Sequence, residues 1–152
     1  MKNPIKAKGG GAMLIGSYKC TTDAKGRLNF PAKLRADLGT RFVITRSLTD
    51  PCLNVYSLEE WARVEEKLHA LPIVKAGNII RMLSGCASEA EPDAQGRVVI
   101  PAQLRTYANL EKDVVVIGAS THCEIWNKDK WEALCSALDS ETIADVMNEL
   151  GF

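Results

Sequence analysis

The chain has 152 residues with 19 basic and 19 acidic side chains, so its formal charge is zero and its isoelectric point about 6.7. With 46% hydrophobic and 25% charged residues it has a globular composition, which excludes a disordered polyelectrolyte or a protein that binds polyanions through bulk charge. The longest apolar stretch, residues 114–119, is far too short to span a bilayer, and the length allows one ordinary domain or two small ones.

Residues 1–12 are basic and glycine-rich, lack the apolar segment of a secretory leader, and read as an N-terminal extension before a candidate start at Met13. KGGG at 8–11 lacks the Lys-Ser/Thr that a phosphate loop requires. A strand is expected next, then a tight turn in which the Asp23 carboxylate accepts from the turn backbone and Gly26 supplies a positive φ. Residues 28–30 read as a short buried strand. Pro31 fits the first position of a helix, Leu34 and Leu38 share one face of it, and Gly39 closes it. Strands are expected at 41–45 and 52–56, then a long helix over 57–68 opened by a Ser57/Glu60 capping box. Residues 72–84 form a linking helix weakened by Gly77.

The series then recurs. Residues 23–35 read DAKGRLNFPAKLR, and seventy positions later residues 93–105 read DAQGRVVIPAQLR, identical at eight of thirteen positions where composition alone would give roughly one. Asp93 and Gly96 repeat the turn, 98–100 the buried strand and Pro101 the helix start. Strands at 114–118 and 123–126 and a helix over 127–138 follow, with Trp131 seventy positions beyond Trp61. The tail, 139–152, reads as one capped helix. The expected units are therefore 1–12, a first repeat 13–71, the link 72–84, a second repeat 85–138 and the tail helix 139–152. A copy of about 60 residues is at the lower edge of independent stability, so the two are expected to interlock, the hairpins of one packed into the strands of the other.

Turn, strand and helix chemistry accounts for the motif's Asp, Gly, Pro and Leu but leaves the arginine after the glycine. Arg27 and Arg97 either pair with Asp23 and Asp93 across the turn or project towards a groove, where guanidinium grips phosphate or guanine in bidentate fashion. Charge separates the halves: residues 13–46 hold seven basic and two acidic side chains, residues 85–118 three and five. Phosphates favour the first half through counterion release. Lys25 at the turn tip, Lys19 on the preceding strand and Arg27 are the expected DNA contacts, with Arg35 and Arg97 as further candidates. Arg35 and Arg105 have an alternative as caps or internal partners. Trp61 and Trp131 suit a helix-face core or a subunit contact.

The doubled DxxGR…P…LR pattern, each copy followed by strands and a Trp-containing helix, resembles the MraZ family over residues 13–138, including LSGCASEAEPDAQGR and IGASTHCEIWNKDKW. The resemblance implies an α+β fold, a mainly β core with short helices, in which two swapped-hairpin repeats of the AbrB/SpoVT type form an intrachain pseudo-dimeric β-barrel. It implies a sequence-specific DNA-binding transcriptional regulator of the division and cell-wall gene cluster, acting on short promoter repeats including its own, as a closed homo-oligomeric ring in the cytoplasm at the nucleoid. The alternative is an AbrB-type protein-interaction module such as an antitoxin. The short tail helix, in place of a long disordered toxin-binding segment, weighs against it.

Catalysis has little to stand on. His69 lies on a polar helix face, and His122 beside Cys123 lacks a base and an orienting partner. His122, Cys123 and Cys135 do not match closed-site zinc spacing, so no metal, cofactor or catalytic residue is expected. Five cysteines without a CxxC spacing suit reduced thiols in a cytoplasm.

Overall fold

The computed structural model describes residues 13–152; the expected extension 1–12 lies outside the described residues. In chain order the first half contributes β1 (Ser17–Thr21), β2 (Arg27–Asn29), α1 (Ala32–Leu38), β3 (Phe42–Arg46), β4 (Leu53–Ser57) and α2 (Leu58–His69), followed by α3 (Ile73–Gly85). The second half contributes β5 (Ser88–Ala90), β6 (Arg97–Val99), α4 (Ala102–Tyr107), β7 (Asp113–Gly118), β8 (Cys123–Asn127), α5 (Lys128–Ala137) and α6 (Ser140–Glu149). Half of the expected capping box forms: Ser57 Oγ accepts from Glu60 N at 3.1 Å, while the Glu60 carboxylate accepts from Arg63 Nη1 at 2.8 Å instead of reaching back to Ser57 N. The prolines stand one position earlier than expected: Pro31 and Pro101 are the residues before their helices, extended at ψ 127° and 145°.

The halves exchange strands. Six strands form one sheet in the order β1-β7-β8-β4-β3-β5, so each half lends its first strand to the other: β1 pairs with β7, and β5 with β3. The centre is the β4–β8 pair, with Leu53 opposite Ile125 and Val55 opposite Cys123. The remaining strands, β2 and β6, form a separate antiparallel ribbon with Leu28 opposite Val98. Its ladder continues one residue at each end, where Ile100 N donates to Gly26 O at 2.9 Å and Phe30 N to Gly96 O at 3.2 Å.

The expected closed barrel is not what these strands build. Among the described residues β1 pairs only with β7 and β5 only with β3, leaving an open sheet with two edges. The ladder passes from sheet to ribbon only through the single Thr22–Leu28 bridge, because the Asp23–Gly26 turn interrupts it. The result is a sheet with a ribbon lid. Leu28, Phe30, Val98 and Ile100 point down from the ribbon into one core with Phe42, Ile44, Val55, Val114, Val116 and Ile125 from the sheet and Leu34 and Leu104 from the two short helices. Each such side chain contributes roughly 1.5–3 kcal/mol on full burial. Most of that core lies between the halves, so neither half can form it alone.

Outside the main core the two Trp-containing helices dock alike. Trp61 of α2 tilts on Tyr56 and Trp131 of α5 on Trp126, both with ring centroids 5.7 Å apart. Gly77 does not interrupt α3, whose Leu83 carbonyl accepts from the buried Thr45 hydroxyl at 2.7 Å.

Candidate nucleic-acid interface

The ribbon's alternation sets the candidate surface. Leu28 and Val98 point inward and are fully buried, so the residues on either side, Arg27 and Asn29 on one strand and Arg97 and Val99 on the other, face outward. The antiparallel register places Arg27 across from Val99 and Asn29 across from Arg97. These cross-strand pairs alternate with the hydrogen-bonded pairs Gly26/Ile100 and Phe30/Gly96, so they are the close kind, with Cα atoms about 4.5 Å apart.

Both arginines make the ion pair that the sequence offered as one of their two readings. Arg27 Nε donates to Asp23 Oδ2 at 2.6 Å, and Arg97 Nε to Asp93 Oδ2 at 2.9 Å. The other oxygen, Oδ1, is spent on the turn: in Asp23 it accepts from Lys25 N and Arg27 N, in Asp93 from Gln95 N and Arg97 N. The backbone N–H of Arg27 or Arg97 is the largest cause holding each carboxyl below its usual value, opposed by desolvation and reinforced by the guanidinium. Only Nε is engaged in each pair. Among the described residues no hydrogen bond uses either arginine's terminal nitrogens, so the aspartates fix the direction of the side chains while the outer ends remain available.

Gly26 and Gly96 show why the turns need glycine. Their φ values are +77° and +78°, and a Cβ at either would lie within 3 Å of an arginine guanidinium from the other repeat, Arg105 at Gly26 and Arg35 at Gly96. Arg35 also donates from Nε to Phe30 O at 3.1 Å. Its guanidinium lies on the second turn as a strut between repeats, the internal contact that was one of its two readings. Arg105 takes the matching place on the first turn.

Lys25 is exposed at the tip of the first turn, and its counterpart is the neutral Gln95. Lys19 is exposed on β1 and lines a shallow depression of about 300 Å³ together with Thr21, Asn29 and Pro31, which brings it beside the ribbon. Its counterpart seventy positions on is Glu89, paired with Arg41 Nε at 3.3 Å. The basic bias read from the sequence is thus carried onto the ribbon's flank by the first repeat.

Sequence reasoning missed Asn29 and Val99. Residues 28–30 and 98–100 read as continuously buried, whereas the middle residue of each triplet faces out, and Val99 is 61% exposed. The signal for Asn29 was present as a polar residue between two apolar ones. For Val99 it was hidden, since VVI looks the same whether one or all three side chains are buried.

Among the described residues no group of three or more His, Cys, Asp and Glu could hold a metal ion. His122 is held by Glu124, Nε2 to Oε2 at 3.1 Å, and rests on the Tyr56 ring. Burial pushes the Cys20 thiol up to about 11 and those of Cys52 and Cys123 up to about 12, which keeps all three protonated and unreactive at neutral pH. No described helix is long and apolar enough to cross a membrane.

Comparison with known proteins finds a family described as "MraZ protein, putative antitoxin-like" matching residues 13–77 and 82–150. A protein of Thermoanaerobacter pseudethanolicus named transcriptional regulator MraZ is 51% identical over 142 residues, covering 91% of this chain and 99% of its own length. Similarly named proteins of Caldicellulosiruptor saccharolyticus and Moorella thermoacetica are 48% and 47% identical, covering 91% and 89% of this chain and 99% and 96% of their own lengths.

Proposed function

From the premise that the chain belongs to the MraZ family, we propose that it is a sequence-specific DNA-binding transcriptional regulator whose contact surface is the outer face of the β2–β6 ribbon. The observation that carries this is the pair of guanidiniums, held through Nε by Asp23 and Asp93 on a two-stranded ribbon, with their terminal nitrogens unbonded among the described residues. A ribbon of that kind fits a major groove about 12 Å wide. Arg27 and Arg97 enter the groove, while Lys25 at the turn tip and Lys19 on the flank meet phosphate. Arg35 serves by bracing the second turn.

One ribbon makes few phosphate contacts, so affinity from a single chain is weak. A closed homo-oligomeric ring would engage several short repeats at once and gain through effective concentration. Supporting the oligomer, α6 and its C-cap residue carry Ile143, Val146, Met147 and Leu150 on one face, all exposed. The DNA is promoter DNA of the division and cell-wall gene cluster, including the gene's own upstream region, and the protein works in the cytoplasm at the nucleoid.

Purified protein mixed with labelled fragments from upstream of its own gene tests this. Retarded bands on that fragment, resisting excess unrelated duplex, are expected. Equal retardation of every fragment, or none at all, overturns the reading. The protein-interaction reading has one point in its favour, the exposed α6 face, but a second copy of the chain covers that face equally well.

A further inference from the structure

The ribbon's two strands present different chemistry. Each carries an arginine, but the second outward residue is Asn29 on β2 and Val99 on β6. Asparagine is depleted in strands, and strand preference therefore does not explain Asn29. Nor does internal bonding explain it: among the described residues its side-chain amide has no hydrogen-bond partner, and it stands exposed beside Lys19. An outward carboxamide between two arginines offers one donor and one acceptor, which match N7 and N6 of adenine in the major groove. Val99, 61% exposed, offers only methyl groups, and the complementary feature of the same groove is the thymine C5-methyl.

We propose that Asn29 and Val99 are the base-reading, specificity-determining residues of the ribbon, Asn29 selecting adenine and Val99 selecting thymine, so that the ribbon reads a half-site of fixed polarity. This rests on the DNA-binding reading above. The fold is close to two-fold symmetric about the β2–β6 ribbon, and the guanidiniums of Arg27 and Arg97 obey that symmetry. Two arginines alone would read both orientations of a site alike. Asn29 and Val99 break the symmetry at the two positions nearest the arginines, Asn29 across from Arg97 and Val99 across from Arg27. The flanks break it in the same sense, with Lys19 on the first repeat where the second has Glu89.

Selection from a random duplex library with the full chain tests the assignment. Wild type should enrich a non-palindromic core containing adenine and thymine. Asn29→Ala should lose the adenine preference at one position and bind the wild-type site about tenfold more weakly, within the range one bidentate base contact discriminates. Val99→Asn makes both strands Arg-x-Asn and should convert the enriched core to a two-fold symmetric one. Both side chains are exposed, and unchanged melting temperatures will show that the fold is intact. Enrichment of the unaltered core by Asn29→Ala and Val99→Asn, with Arg27→Ala abolishing it, overturns this proposal while leaving the DNA-binding surface standing. Failure of wild type to enrich any sequence overturns the reading beneath it as well.

Discussion

At the scale of the residue, the informative unit is an aspartate with an arginine four positions on. Asp23 and Asp93 spend one oxygen on the turn backbone and the other on Nε, so each turn and each guanidinium depend on one carboxylate being charged. Both carboxyls sit below their usual value in the folded chain. Their contribution to stability is therefore complete above the ordinary carboxylate pKa and is lost as pH falls through the depressed folded value. Melting temperatures recorded from about pH 6 down to about pH 2.5 should fall on the acid limb, and Asp23→Asn with Asp93→Asn should flatten that limb. The same pair predicts the two arginine variants. Arg27→Ala should abolish specific DNA retention while fold and assembly survive. Arg97→Ala should cost less, because its flank carries Gln95 and Glu89 where the first repeat has Lys25 and Lys19. The reverse order, in folded protein, would place the DNA face on the second repeat.

At the scale of the element, turn, ribbon and short helix act together, because Arg35 and Arg105 reach from the helix of one repeat onto the turn of the other. Gly96→Ala asks an L-residue to adopt φ +78° and pushes a Cβ to 2.6 Å from the Arg35 guanidinium carbon. The left-handed conformation alone costs roughly 1–2 kcal/mol, and displacing Arg35 from Phe30 O adds to it. A fall in melting temperature of about 5 °C is expected for a chain of this size. Adding Arg35→Ala should cost less than the sum of the two single changes, since the steric conflict is then gone. A fully additive pair would mean that Arg35 does not press on the turn. How much of this was legible follows from the same elements. The turns, the Ser57 helix cap, the short helices and the interlocking of two repeats were readable because each rests on local chemistry or on the repeat itself. The open edges were not, because whether a sheet closes depends on how the Asp23–Gly26 turn interrupts the ladder in space. The outward triplet centres were half legible: polar Asn29 betrays its direction, apolar Val99 does not, and the cross-repeat reach of Arg35 leaves no trace in its own neighbourhood.

At the scale of the whole molecule, the proposed ring would cover the exposed apolar face of α6 and multiply the few phosphate contacts that one ribbon offers. Light scattering at micromolar concentration should give a discrete particle well above a dimer, closed because head-to-tail contacts either close or run to filaments. Val146→Asp should shrink that particle; a wild-type monomer would sink the ring. If three or four chains each neutralise about three phosphates, log K should fall with log salt at a slope near −9 on a fragment with several repeats, against about −2 to −3 for one chain alone. A shallow slope that ignores repeat number would mean one chain binds by itself. The exchange of β1 and β5 between halves also imposes an order on synthesis. Thr21 waits for Asp113, roughly ninety residues later in the chain. At ordinary translation speeds that is a delay of roughly 5–18 s, during which β1 lacks the β7 strand it pairs with. A nascent chain stalled before β7 can meet an equivalent strand only on a neighbouring chain on the same message, either that chain's β7 or its repeat counterpart β3. Carrying both repeats in one polypeptide makes the correct partner the nearest one, and a fragment ending at residue 77 should be found unfolded or paired with a second copy, never as a folded monomer.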